Sequence, residues 1–262
     1  MKRRVWFVLV LMCVPSVAWA GAWTLPEGSG QWIVTFDASV ATRYFSDSGL
    51  APTPRYSKEE LQAWIEYGLT DRLTGIISPS LQNIDIGSPT NAERTGLGYT
   101  EFGARYRFYE VPTWVVSGQA TLRIPGTTDV SNPAAIGYTD VEADFRALLG
   151  HNFTIGDRSA FTDLEIAERW RTAGYPSEFR VDATLGVQLF PQWMLLAQSF
   201  NVISEGGGLS VLGGSYEYYK LQLSAVYGLT PTWWVQFGGF STYAGWNSIQ
   251  ENGVIVGVWH LF

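Results

Sequence analysis

The side chains with the most chemical potential in this sequence are charged and spaced two residues apart. Asp140, Glu142, Asp144 and Arg146 occupy alternate positions. So do Arg105 and Arg107, Asp163 and Glu165, and Arg180 and Asp182, and Glu101, Arg123 and Arg169 extend the pattern. In an extended chain, alternate residues share a face. Such a face could filter charged solutes, or it could be a set of mutually neutralising cross-strand ladders that fills a narrow interior. The second is favoured, because cross-strand charge pairs ordinarily play this part. Arg123 and Asp140 flank one connection and are expected to face each other, as are Arg169 and Asp182 across the next. Asp140, Glu142 and Asp144 could also converge on Ca²⁺. They lack the carbonyl-rich loop spacing of such a site, and nearby arginines offer simpler neutralisation.

Other chemistry finds little support. A hydrolase needs a nucleophile with a base beside it, and the only histidines are His151 and His260. Neither has a convincing partner, and no Gly-x-Ser-x-Gly string occurs. Two histidines on separate segments do not suggest zinc. No enzyme activity and no cofactor are expected.

The elements that carry these charges alternate with a period of two. Trp32, Val34, Phe36, Ala38 and Val40 are interleaved with Gln31, Thr35, Asp37 and Ser39. Trp114 to Ile124, Val141 to Leu149 and Phe179 to Leu189 read the same way. Ile33, Val115 and Leu148 break the rule by falling on the polar side. A helix would scatter the charges all round its circumference. Apolar alternation over about ten residues is the pattern of a tilted membrane strand.

About twelve such segments are predicted, near 30–44, 58–69, 73–83, 97–109, 113–125, 138–153, 159–171, 178–189, 193–203, 216–228, 232–243 and 253–262. Short separators such as Thr70-Asp71-Arg72 and Phe190-Pro191-Gln192 alternate with longer ones rich in Gly, Ser, Pro and Asn. Outer-membrane barrels place short turns in the periplasm and long loops outside. Tyr67, Phe108, Tyr109, Trp114, Phe153, Phe190, Trp193, Tyr227, Trp233 and Trp234 fall beside the short turns, as an interfacial aromatic girdle should. The fold class expected is all-β, an antiparallel up-and-down transmembrane barrel of about twelve strands.

The ends agree. Lys2, Arg3 and Arg4 precede an apolar run from Val5 to about Val14, a break at Pro15-Ser16, and Ala18-Trp19-Ala20. This three-part pattern predicts a secretory leader over 1–20, cleaved after Ala20, and a barrel over 21–262. Cys13 lies inside the leader and follows Met12 rather than a small residue, which sets aside a lipoprotein. The leader holds three of the 17 basic residues and none of the 24 acidic ones, so the remainder carries 14 against 24, a net charge near -10. That balance argues against nucleic acid as a partner. The last strand alternates and ends on Phe262, the kind of terminus handled by the outer-membrane assembly machinery. The expected surroundings are the lipid of a Gram-negative outer membrane.

Three strings carry a family resemblance: Glu66-Tyr-Gly-Leu-Thr-Asp-Arg-Leu-Thr-Gly75, Tyr99-Thr-Glu-Phe-Gly-Ala-Arg-Tyr-Arg-Phe108 and Arg123-Ile-Pro-Gly126. They resemble the outer-membrane proteins grouped with the meta-pathway of phenol degradation. The resemblance implies a transporter-like barrel that admits small solutes, hydrophobic or aromatic ones among them. It carries no functional residue over. The functional expectation is a passive channel, and the competing expectation is a structural or surface-interaction barrel with a plugged lumen.

Overall fold

A computed structural model describes residues 21–135, 137–207 and 214–262. The predicted leader lies outside them. Twelve long strands and one two-residue strand form a single antiparallel sheet: β1 (Gly30–Ser46), β2 (Gly49–Thr70), β3 (Leu73–Ile86), β4 (Ala92–Val111), β5 (Trp114–Ile124), β6 (Glu142–Ile155), β7 (Arg158–Arg171), β8 (Glu178–Phe190), β9 (Trp193–Ser204), β10 (Glu217–Gly228), β11 (Trp233–Trp246), β12 (Ser248–Ile249) and β13 (Asn252–Leu261). Each long strand pairs with its neighbour in sequence, and β1 also pairs with β13, from Gln31↔Leu261 to Val40↔Asn252. The sheet is therefore a closed barrel, which leaves no strand edge unpaired within the wall.

The alternation read from the sequence becomes the two surfaces of this wall. Leu61, Leu81, Phe102, Leu122, Phe145, Ile166, Leu195, Leu223, Phe237 and Val256 all point outward and are exposed. An apolar belt that runs round every strand is suited to lipid and unsuited to water. Gln31, Glu66, Thr74, Ser78, Gln119, Asp144 and Gln222 point inward and are buried.

The strands run further than the alternation does. β1 and β2 continue past the predicted ends at 44 and 58 to a tight turn at Asp47-Ser48, with Ser46↔Gly49 as the last pair. β2 loses its β3 partner beyond Tyr56↔Ile86. Pro52 and Pro54 lie in that stretch, where proline's missing N–H costs no bond to β3. In the other direction β6 begins at Glu142, not at 138.

The girdle forms at the short-turn end. Tyr67, Phe108, Tyr109, Trp114, Phe190, Trp193 and Trp233 are exposed there. Trp234 does not join them: it is buried inside the barrel. Two adjacent strand residues cannot share a face, and Trp233 takes the outward one. His151 stacks on Trp114 at 3.9 Å and His260 packs on Trp233 at 4.2 Å, so both histidines belong to this aromatic ring.

Candidate functional site

The lumen is the candidate site, and its lower end is closed by the chain's own residues 21–29. Ala22 N donates to Asp163 Oδ1 at 2.8 Å, and Ser117 Oγ donates to Ala22 O. Arg105 Nη1 reaches Trp23 O at 3.0 Å, and Leu25 N bonds Thr74 Oγ1 at 2.9 Å. Thr24 and Glu27 are tied to Asp71 in the β2–β3 turn. The segment thus satisfies its own backbone polar groups on inward side chains, as a buried loop must. Its apolar residues meet apolar wall. Ala22 packs with Val115 and Leu148, two of the three positions that break the alternation. Trp23 lies against both this pair and a cluster of Phe161, Met194, Leu196, Val226 and Trp234. Gly150 makes room for it, since a Cβ there would stand 2.7 Å from the indole.

Above this floor the wall divides into two halves. From β4 to β8 it is a continuous charge network. Arg123 pairs with Glu101 at 2.8 Å and with Glu142. Arg171 bridges Glu142 at 2.8 Å to Glu178 at 3.3 Å. Arg169 holds Asp144 at 2.9 Å, and Arg146 reaches Asp144, Glu165 and Asp182 at 2.7, 2.7 and 2.8 Å. Arg180 pairs with Glu178 at 2.9 Å. Lower down, Arg105 and Glu66 form a fully buried pair at 2.8 Å, with Gln31 Nε2 donating to the same carboxylate at 2.5 Å. Buried charges are tolerated when paired and hydrogen-bonded in this way.

The other half, from β8 through β13 to β2, is lined by amides and rings together with two ion pairs, Lys58 with Glu60 at 2.8 Å and Lys220 with Glu251 at 2.6 Å. Gln222 Nε2 donates to Gln198 Oε1 at 3.0 Å, Gln236 Nε2 to Ser224 Oγ at 2.9 Å, and Trp259 Nε1 to Gln236 Oε1 at 3.1 Å. Trp64, Phe200, Phe240 and Trp259 stand among them. A cavity of about 390 Å³ lies against this wall and a second of about 410 Å³ lies above it. Lys58, Glu60, Gln62, Arg180, Tyr218, Lys220 and Glu251 line both, so the two cavities adjoin. At the long-loop end, the β5–β6 connection folds inward. Pro133, Ala134, Gly137 and Tyr138 line the upper cavity. Tyr99 Oη donates to Gly137 O and Asp140 O at 3.2 and 2.8 Å, and Arg171 Nη2 reaches Gly137 O at 3.4 Å.

This fold recurs in solved structures. The chain is similar to the COG4313 outer membrane channel from Pseudomonas putida F1, at 13% identity and a TM-score of 0.71, covering 94% of this chain and 100% of that one. It is also similar to the translocator domain of the autotransporter NalP from Neisseria meningitidis (9% identity, TM-score 0.54, 88% of each chain) and to the KdgM porin (10%, 0.50, 87% of this chain and 98% of that one). No family model and no curated protein matches the sequence.

The fold is that of an outer-membrane β-barrel.

Within that barrel, the charged residues singled out from the sequence fall into four places. Glu101, Arg123, Glu142, Asp144, Arg146, Glu165, Arg169, Arg180 and Asp182 meet in the network. Arg105 and Asp163 belong to the floor, and Arg107 pairs with Glu110 at 2.7 Å beside the β4–β5 turn. Asp140 lies outside the strands, in the β5–β6 connection. The register opposite Arg123 belongs to Glu142, two residues beyond Asp140, and β6 starts only there, not at 138. Asp140 instead accepts a hydrogen bond from Thr139 at 2.9 Å. That displacement also removes it from the Glu142–Asp144 face, and arginines occupy both remaining carboxylates, so the trio conceived for Ca²⁺ does not assemble. Across the β7–β8 hairpin, Arg169 faces Glu178, and Asp182 faces Glu165. The strands end at Arg171 and start at Glu178 as expected, but the register sets Arg169 opposite Glu178, so Asp182, four residues further on, falls opposite Glu165 instead.

Arg171 and Glu178 were overlooked in the sequence although both lie on the right parity, two residues from Arg169 and Arg180. The glutamine and aromatic wall was overlooked because amides and rings carry no charge pattern to attract notice.

Proposed function

We propose that this protein is an outer-membrane channel for small solutes. The observation that carries the reading is the pair of adjoining cavities along the amide-and-ring wall, reaching from beneath the inward-folded connection down to Phe161 and Leu196. A merely structural barrel of this girth could fill both halves of its lumen with ladders, as it does from β4 to β8. Here one half is kept open and lined by groups that solvate a polar atom and stack against a flat apolar face. That lining suits a small solute that carries both, an aromatic ring bearing a hydroxyl or amide being the simplest form. The charges largely cancel, in the network of the opposite wall and in the Lys58–Glu60 and Lys220–Glu251 pairs of this one.

A second reading is favoured by one observation. Residues 21–29 and the apolar cluster around Phe161 seal the end opposite the long loops. On that reading the barrel is plugged and serves as a structural or surface-interaction element.

Planar-bilayer recording separates the two. A channel gated by its floor gives rare or small openings as the intact protein, and large steady ones when residues 21–29 are deleted. If verified folded barrel stays silent in both forms, the structural reading prevails.

A further inference from the structure

Asp163 is an inward carboxylate on β7, 3% exposed, and among the described residues no lysine, arginine or histidine lies within 4 Å of it. Its neighbours are already committed. Glu165 is held by Arg146 at 2.7 Å, and Arg105 is held by Glu66, Gln119 and Trp23 O. Among the described contacts the backbone donor on Asp163 is the Ala22 N–H at 2.8 Å, and the polar side chain beside it is another carboxyl, that of Glu165. A buried carboxylate with a single neutral donor is costly. Directly beside it lies Gly21: a Cβ on that residue would stand 2.8 Å from Asp163 Cγ and 3.0 Å from each carboxylate oxygen. The Gly21 nitrogen is about 2.5 Å from that Cβ position by standard backbone geometry, which places it no more than about 5.5 Å from the same carboxylate oxygens.

We propose that Asp163 is the receptor for the ammonium group that leader removal creates on Gly21. Hydrolysis of the Ala20–Gly21 peptide bond by a leader peptidase consumes one water, leaves a carboxylate on Ala20, and leaves an amine on Gly21 that takes up a proton. That cation completes the ion pair Asp163 lacks and locks the first residue of the floor against β7. The uncleaved chain has a neutral amide at the same nitrogen and cannot form the pair. Leader removal therefore strengthens the seating of Ala22 and Trp23 at the lower end of the barrel. The absence of a side chain at position 21 fits this role, because any Cβ would occupy the carboxylate's own space. The proposal does not depend on whether the lumen conducts.

The test uses protein purified from outer membranes and checked for folding by its heat-modifiable migration on gels. Intact mass and peptide mapping should identify Gly21 as the first residue. A small acetylating reagent should then modify the Gly21 α-amine at least about tenfold more slowly than in Asp163→Asn, a factor equivalent to one pKa unit of stabilisation of the ammonium. Lys58 and Lys220 serve as internal references, since mapping resolves them from the α-amine. A second variant covers the case in which Asp163→Asn fails to fold. One serine inserted between Ala20 and Gly21 keeps every native side chain and moves the ammonium away, so the α-amine should react at the rate of a free peptide. A wild-type α-amine that reacts at the free-peptide rate overturns the proposal, as does a first residue other than Gly21. Protection that persists in both variants overturns it as well.

Discussion

The Trp23 indole stands edge-on to the Phe161 ring, with centroids 5.8 Å apart and planes at 88°. That contact joins the N-terminal segment to the apolar cluster of β7, β9, β10 and β11. Edge-to-face pairs of this kind add roughly 0.5–1.5 kcal/mol beyond burial alone. Gly150 completes the seat from the other side, so Gly150→Leu should evict the indole. A cysteine at Thr24 is expected to react slowly with a water-soluble maleimide in the parent barrel and at least about tenfold faster after Gly150→Leu. Equal rates would separate the floor from this contact.

Glu142 is the hub of the charged wall, in contact with Arg123 and Arg171 and 3.9 Å from Arg169. Removing its charge leaves several buried cations undercompensated. Glu142→Gln should cost on the order of 3–5 kcal/mol, read as a lower guanidinium midpoint for the detergent-solubilised barrel. Asp140→Asn should change stability by less than about 1 kcal/mol, because its carboxylate bonds only Thr139 among the described contacts. Equal losses would contradict the register.

The same register sets ion preference. Arg123→Ala should move the reversal potential in a salt gradient toward cations, and Glu142→Gln toward anions. Because Arg123 has a second partner in Glu101, the double change should restore the parent value only partly. If neither single change moves the potential, these residues do not face the conducting path.

Topology can be read on intact cells. Cysteines at Ser88 and Ser131, in the longer loops, should label from outside with an impermeant reagent. One at Gln192, in the β8–β9 turn, should not. Labelling at Gln192 alone inverts the barrel.

Closure rests on the chain's last residue. Phe262 exchanges two backbone hydrogen bonds with Gly30, at 2.7 and 2.9 Å, and its ring lies where a Cβ on Gly30 would be, 2.3 Å away. Gly30→Val should therefore impair assembly about as much as Phe262→Ser, measured as folded, heat-modifiable protein in the outer membrane. Parental levels in both would exclude this corner from barrel closure.

The sequence made the wall legible because a period of two records which side of a sheet each residue takes, and lipid enforces that record strictly on the outside. It made Arg105, Arg123, Asp144 and Glu165 legible as neighbours on consecutive strands. It could not show their partners, since a register displaced by two residues passes Arg123 from Asp140 to Glu142. The floor was legible only as anomalies. Val115 and Leu148 looked like errors in the alternation, and they are apolar because Ala22 and Trp23 cover them. Gly150 gave no signal at all, since a seat made by a missing side chain has no sequence pattern. The strand extensions beyond the belt were hidden for a related reason: above the lipid, water meets both faces, so backbone pairing continues after the pattern that announces it has ended.

The unequal lining of the two walls has a mechanical consequence. The arc from β4 to β8 is cross-braced by side-chain ion pairs that span up to three strands, as Arg146 does between β6, β7 and β8. The arc from β9 round to β1 has backbone ladders, a few amide links and, among the described residues, one ion pair, Lys220 to Glu251 at 2.6 Å, and it contains the β1–β13 junction where the two ends of the chain meet. Thermal bending of the cylinder must concentrate in the arc with fewer struts. One side of the barrel therefore acts as a stiff rib and the other as a compliant panel, so changes in bore are made by the panel that borders the open space while the rib keeps its shape.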